Sequence, residues 1–198
     1  MHVIHSINMT LSGRADPRDA VVDAGHLRYA RELVAGADAL VLGRTTFDVF
    51  DAFWPQATTR DDLPGETLAL ALALQRIDKL VVSSRAVDTA WANTVHVRGP
   101  DLDALGTELA RRNGTAIVFG SPALAASLRT AGLVDELHLL VQPFIGVDGP
   151  RAFPDAGARS PLDLLECRAL GAGSVLLRYA VTGAQHSPTP TTNPRNTE

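Results

Sequence analysis

Three short apolar runs constrain this chain more than any other feature: Ala39-Leu40-Val41-Leu42, Leu80-Val81-Val82 and Ala116-Ile117-Val118-Phe119. A strand can be apolar throughout only where both of its faces are covered, which is the pattern of a parallel sheet between helices. The segments between the runs have helical spacing. Leu27, Ala30, Leu33 and Val34 mark a helix over 25–34 that Gly36 stops, and a second is expected over Glu66 to Arg76. Leu102, Leu105 and Leu109 form a stripe closed by Asn113-Gly114. Thr45 opens a further helix, with Asp48 three residues on in the manner of a capping box. Ser121 reads as an N-cap with Pro122 at the first helical position and Gly132 as the C-terminal stop.

Shorter strands are expected over Val3 to Ile7, Thr94 to Val97 and Leu137 to Val141. Two final strands, Leu162 to Leu170 and Ser174 to Val181, flank Gly171-Ala172-Gly173 and read as an antiparallel hairpin. Loops are expected over Asn8 to Asp23, Phe53 to Gly65 and Pro143 to Pro161. The order predicts an α/β domain of three αβα layers around a mostly parallel, mixed sheet. One domain spans residues 1–182, and residues 183–198, rich in Ser, Thr, Pro and Asn, read as a disordered tail.

Charge and cysteine content narrow the function classes. Eighteen Lys and Arg stand against 22 acids, a net charge of −4, which is no electrostatic footprint for nucleic acid. Cys167 is the single cysteine, so neither an internal disulfide nor a Cys-based metal site is expected. The six histidines lack ligand spacing, and no metal is expected. The start lacks a secretion-signal pattern, and no apolar stretch approaches the ~20 residues of a membrane span, so a cytoplasmic protein is expected.

In open α/β sheets, ligands gather beyond the carboxyl ends of strands. Three such ends carry groups that suit a phosphate: Gly43-Arg44-Thr45-Thr46, Ser83-Ser84-Arg85 and Gly120-Ser121-Pro122. Helix N-termini offer unpaired N–H groups, glycine permits close approach, and arginine adds a planar cationic fork. The competing reading is that turns and caps use Gly, Ser and Thr anyway. Neither Gly-x-Gly-x-x-Gly nor a Walker-type Gly-Lys-Ser/Thr is present. Ser121 lacks the second glycine of a hydrolase nucleophile turn. Trp54 could stack on a flat substrate or cover core.

These stretches carry a family resemblance. Thr10-Leu11-Ser12-Gly13, Leu40 through Phe47, Phe53-Trp54-Pro55, Lys79 through Ser84, Ile117 through Ser121, Gly132 through Leu137, and Pro143 with Gly146 and Arg151-Ala152-Phe153 occur in order across 3–181. In this the chain resembles the dihydrofolate-reductase-like family that includes the reductase half of the bifunctional riboflavin-biosynthesis deaminase-reductase. The resemblance implies a dihydrofolate-reductase-like fold, a homodimer, and NADPH bound across the strand ends with hydride passing to a small heterocyclic substrate. By position, Gly43, Arg44, Thr45 and Thr46 would contact the cofactor's phosphates or adenosine end. Ser83, Ser84 and Arg85 would hold its 2′-phosphate region, and Gly120, Ser121, Pro122, Ala123 and Leu124 its pyrophosphate. Met9, Ser12 and Trp54 would face the substrate.

Ser12 stands where the family has Asp. A hydroxyl cannot serve as a carboxylic acid near neutral pH, which leaves Asp16, Asp19, Asp23 and Asp51 as candidate proton sources and Ser12 as a candidate catalytic group. Three readings follow: a reductase of a pyrimidine- or pteridine-like ring, a 5-amino-6-(5-phosphoribosylamino)uracil reductase, and a non-catalytic nucleotide-binding protein. For the second, the first loop offers Arg14 and Arg18 to a phosphate; for true dihydrofolate reduction, Glu32 is the one carboxylate on the following helix.

Overall fold

The apolar runs become the middle of an eight-stranded sheet. The strands are β1 (His2–Thr10), β2 (Ala39–Gly43), β3 (Asp78–Ser83), β4 (Thr94–Arg98), β5 (Thr115–Phe119), β6 (Glu136–Gln142), β7 (Leu162–Gly171) and β8 (Ser174–Val181). The helices are α1 (Ala24–Ala35), α2 (Arg44–Asp51), α3 (Trp54–Ala57), α4 (Gly65–Arg76), α5 (Leu102–Ala110) and α6 (Pro122–Thr130). The structure, a computed structural model, describes residues 1–99, 102–154 and 159–182. The expected tail, 183–198, lies outside the described residues.

Strand order is β4-β3-β2-β5-β1-β6-β8-β7. The first six are parallel to their neighbours, and β8 and β7 close the sheet antiparallel. The chain thus starts mid-sheet, steps outward through β2, β3 and β4, and returns to insert β5 between β2 and β1. Ala39 through Leu42 and Ala116 through Val118 have no exposed surface. Side-chain alternation splits these strands between two cores. Val41 and Val118 join Leu105, Leu109, Ala125 and Leu128 of α5 and α6. Leu40, Leu42 and Ile117 join Leu27 and Val34 of α1 with Leu70 and Leu74 of α4.

Local signals explain most boundaries. Asp23 caps α1 by accepting from the His26 N–H at 2.8 Å. Gly132, at φ +68°, follows α6, where its own N–H bonds the Arg129 carbonyl and the Leu133 N–H reaches back to Leu128. That pair of bonds is a Schellman stop. Ala172 and Gly173, at φ +43° and +83°, make the two-residue hairpin turn whose twist matches the flanking strands.

Four expectations are corrected. β1 continues three residues past Ile7 because Asn8, Met9 and Thr10 find ladder partners in Leu140, Val141 and Gln142 of β6. The capping box at Thr45 does not form. α2 begins one residue earlier with no side-chain cap, and Asp48 pairs with Arg44 at 2.7 Å instead. The expected 53–65 loop contains α3, with Pro55 in its first turn. Ser121 does not cap α6, since its backbone is left-handed at φ +47° and its hydroxyl turns elsewhere.

Lys79 places a cation in the core. It has no exposed surface, yet its ammonium donates to the Leu74 and Ile77 carbonyls at 2.7 Å each and sits 4.8 Å from the Trp91 ring centre. Burial pulls its pKa down to about 8. A folded-state pKa below the unfolded value means that the unfolded chain binds more protons between the two, so stability rises with pH from about 8 to about 10. Lys79→Met fills the same space and leaves both carbonyls without this donor, so denaturant melts at pH 7 should show a loss of about 2 kcal/mol. The rise in stability above pH 8 should vanish in the variant.

Candidate active site

At the carboxyl ends of β2 and β5 the chain turns at once into α2 and α6, so two helix N-termini stand side by side. Ser121 ties them together. Its hydroxyl accepts from the Gly43 N–H at 2.9 Å and donates to the Phe119 carbonyl at 3.0 Å. The Ser121 N–H in turn donates to Thr46 Oγ1 at 3.2 Å. Gly120 and Ser121 are both left-handed, at φ +52° and +47°, and for Ser121 that is strain held by its contacts. His5, fully buried beneath the turn, meets the Gly120 carbonyl through Nε2 at 2.9 Å. A carbonyl only accepts, so Nε2 carries the proton. Burial lowers the His5 pKa to about 4, keeping the ring neutral.

The Ser121 bonds leave the first turns of α2 and α6 without side-chain caps. Both open on a cavity of about 600 Å³. One wall comprises Gly43, Arg44, Thr45 and Thr46 with Gly120, Ser121, Pro122, Ala123 and Leu124. The opposite wall, from β1, the first loop and α1, offers Ser6, Asn8, Asp16, His26 and Tyr29. Apolar surface from Val22, Leu27, Val49, Phe50 and Trp54 completes it. Trp54 packs edge-on to Phe53 at 5.0 Å and tilted to Phe50 at 6.2 Å, so its ring covers core and lines the cavity at once.

The fold does not bring every expected residue to this cavity. Ser83, Ser84 and Arg85 lie beyond its lining, one strand further out. The Ser83 hydroxyl accepts from the Arg85 N–H at 3.1 Å and donates to the Arg85 carbonyl at 2.8 Å. Arg44 links that loop to α2, donating to the Ala86 carbonyl at 2.8 Å while it pairs with Asp48. Met9 packs into the core on the α5–α6 side. Ser12 is exposed and bonded to Thr10 Oγ1 at 3.0 Å and to the Gly146 carbonyl. The extension of β1 is the cause: alternation turns Met9 to the other face and carries the turn at Ser12 past the cavity.

Tyr29, His26, Ser6, Asn8 and Phe50 were not singled out from sequence. His26 and Tyr29 are three apart on α1, beside the apolar stripe, and that spacing is the signal that could have found them. Asp16 is the acid of the first loop that reaches the cavity. Arg18 grips both its oxygens and holds its carboxyl at a pKa of about 2, so it is ionised at neutral pH. Asp23 is engaged as the α1 cap, and Asp51 accepts from Thr89 at 2.7 Å. His26 Nδ1 is buried with no hydrogen-bond partner, and desolvation lowers the ring's pKa. Among the described residues no three His, Cys, Asp or Glu side chains stand where they could share a metal ion.

Ser121→Ala removes the hydroxyl that bridges Gly43 and Phe119. It should cost about 1–2 kcal/mol, read as a lowered denaturant midpoint with unchanged m-value. Ser121→Thr, which keeps an oxygen there, should lose less.

Known proteins share this architecture. A pyrimidine reductase-like protein from Corynebacterium diphtheriae superposes with TM-score 0.63 at 17% identity, covering 91% of each chain. The dihydrofolate reductase of Enterococcus faecalis, solved with NADP(H), gives 0.60 at 13% identity over 91% of this chain and 96% of that one. A Thermotoga maritima diaminohydroxyphosphoribosylaminopyrimidine deaminase/5-amino-6-(5-phosphoribosylamino)uracil reductase gives 0.62 at 14% identity, with this chain spanning 56% of its length. These likenesses establish a dihydrofolate-reductase-like fold. No curated protein matches the sequence. The RibD C-terminal domain family does match, over residues 1–176 of 198, and this chain belongs to it.

Proposed function

We propose that this protein is an NADPH-dependent reductase that passes hydride to a carbon–nitrogen or carbonyl double bond of a small heterocycle. The observation that carries this reading is the pair of uncapped helix N-termini joined by Ser121 at the mouth of the cavity. Two positive helix ends side by side suit a pyrophosphate. The residues present fit such a group. A Cβ on Gly43 would come within 3.3 Å of Ser121 Oγ, so the bare glycine lets the two turns close on each other, and Thr45 and Thr46 add hydroxyls. Bound there, a dihydronicotinamide supplies the hydride; Trp54 and Phe50 give the substrate ring an apolar face.

Arg44 and the exposed Arg85 are the groups we assign to the 2′-phosphate. They flank the loop after β3, one bonded to it and the other part of it. A second reading, reduction of a phosphoribosylaminopyrimidine, is favoured by the family membership. Against it, Arg18 is committed to Asp16, and Arg14 donates to the Gly149 carbonyl at 3.1 Å. A non-catalytic nucleotide-binding protein would use the same wall without turnover.

We extend the reading to a cytoplasmic homodimer. NADPH supply supports the compartment, and among the described residues no helix is long and apolar enough to cross a membrane. The edge strand β7 leaves Leu162, Leu164 and Leu165 exposed, which is surface that a second copy would cover. Light scattering should therefore give twice the chain mass, and a monomer at micromolar concentration would refute the dimer.

Titration followed by nicotinamide fluorescence should show binding of NADPH well ahead of NADH. Arg44→Ala and Arg85→Ala should each weaken NADPH roughly tenfold, as loss of a charge-assisted bond does, and NADH much less. Equal effects on both nucleotides would remove these residues from the 2′-phosphate site.

A further inference from the structure

The strand register places a polar row where the sheet faces α1. Phe119 of β5, Ser6 of β1, His138 of β6, Arg178 of β8 and Glu166 of β7 are successive cross-strand partners. Phe119 and Ser6 line the cavity, while Glu166 sits on the edge strand. Tyr29 of α1 lies over the row, with its hydroxyl 3.0 Å from Ser6 Oγ and 2.7 Å from His138 Nδ1. His138 Nε2 is 2.7 Å from Glu136 Oε1, which also accepts from Arg178 Nε at 2.8 Å. The other Glu136 oxygen is 3.3 Å from Nε2 of His2, whose side chain is 47% exposed.

Proton positions follow from this geometry. Arg178 Nε is 3.1 Å from His138 Nε2 and 2.8 Å from Glu136 Oε1. The ionised carboxylate, 2.7 Å from Nε2, can only accept, so it takes both N–H groups. A neutral ring then accepts at Nδ1 and the Tyr29 O–H points into the chain. Protonation of Nδ1 reverses the arrangement. The imidazolium and Ser6 then both donate to the tyrosine oxygen, fill its two lone pairs, and turn its own proton out of the chain.

We propose that Tyr29 is the proton donor of the reduction, armed by His138 with Glu136 behind it. The proposal rests on the hydride-transfer reading above. Hydride from the dihydronicotinamide adds to the carbon of the substrate's double bond, and the π pair moves to nitrogen or oxygen. That atom takes the Tyr29 proton, and the Nδ1 proton of His138 passes to the tyrosine oxygen. Neutral His138 keeps its Nε2–H on Glu136 and regains its Nδ1 proton from cavity solvent, relayed through the Tyr29 hydroxyl once product has left. The hydroxyl meets a need that no loop acid meets, because Asp16 is held ionised and Ser12 lies outside the cavity. Tyr29 is the catalytic residue; His138 and Glu136 position and recharge it.

The charged and titratable groups around His138 are Glu136 on its own strand, Arg178 on β8, Glu166 and Arg168 on β7, Tyr29 on α1 and, through Glu136, His2 on β1. Burial lowers the His138 pKa and Glu136 opposes that shift. The armed form is therefore populated on the acid side, and kcat should fall as pH rises through the His138 midpoint.

Tyr29→Phe removes the hydroxyl and keeps the ring. In nitrogen-15 NMR of the whole protein, the neutral wild-type His138 ring should carry its proton on Nε2. The variant should lower the His138 midpoint by about half a pH unit, because the bond the imidazolium donates to the tyrosine oxygen is charge-assisted and the stronger of the two that are lost. With NADPH and 5-amino-6-(5-phosphoribosylamino)uracil as the probe, Tyr29→Phe should lower kcat about a hundredfold with KM for NADPH unchanged. His138→Gln should flatten the pH profile. A neutral His138 protonated on Nδ1, or a Tyr29→Phe variant that turns over like wild type, overturns the proposal alone. A wild type that does not bind NADPH overturns the reductase reading, and the proposal with it.

Discussion

Two helices that begin at adjacent strand ends bring two positive dipole ends together, and like charge at short range has to be offset. Here the Ser121 hydroxyl accepts from one turn and donates to the other, while Thr46 receives the Ser121 N–H. The left-handed backbone at Gly120 and Ser121 is the conformational cost of aiming that hydroxyl under Gly43 rather than over α6. His5 supports the same turn from within the sheet, held neutral by its burial. What the arrangement leaves is a pair of uncapped first turns whose remaining N–H groups favour an anion. This wall of uncapped helix ends is thus a consequence of how β2 and β5 come to be neighbours.

The two faces of the sheet are built differently. On the α5–α6 side, alternate residues of β1, β5 and β6 are apolar and close into one cluster. On the α1 side the same strands present Ser6, Glu136 and His138 to Tyr29. A buried polar chain is tolerable when every member is satisfied, and this one links each group to the next. Its ionic end lies at β8 and β7, where Arg178 bonds both Glu136 and Glu166. The cavity end carries hydroxyls. A single row of the sheet therefore grades from charged and half-exposed to neutral and buried.

The charges that reach the cavity are already balanced. Asp16 and Arg18 neutralise each other, and Arg44 is paired with Asp48. Apart from the paired Asp16 carboxylate, the wall opposite the helix ends is hydroxyl, amide and imidazole, flanked by aromatic surface. Such a lining matches an uncharged planar ring, since a charged group placed there would lose water without gaining a counter-ion.

Local chemistry made much of this legible in sequence. The uninterrupted apolar runs required a sheet covered on both faces, Gly132 stopped α6, and Gly171-Ala172-Gly173 turned the last hairpin, because each depends on neighbours within a few residues. The glycines and hydroxyls at the ends of β2 and β5 were likewise visible as turn chemistry. Tertiary structure alone decided their use. Ser121 serves Gly43, 78 residues away, so no local pattern could say that it would abandon its own helix. Pairing with β6 lengthened β1, which turned Met9 to the far core and left Ser12 outside. Ser6, Tyr29 and His138 meet only through strand register and the docking of α1, contacts between residues 23 and 109 apart that sequence spacing does not encode.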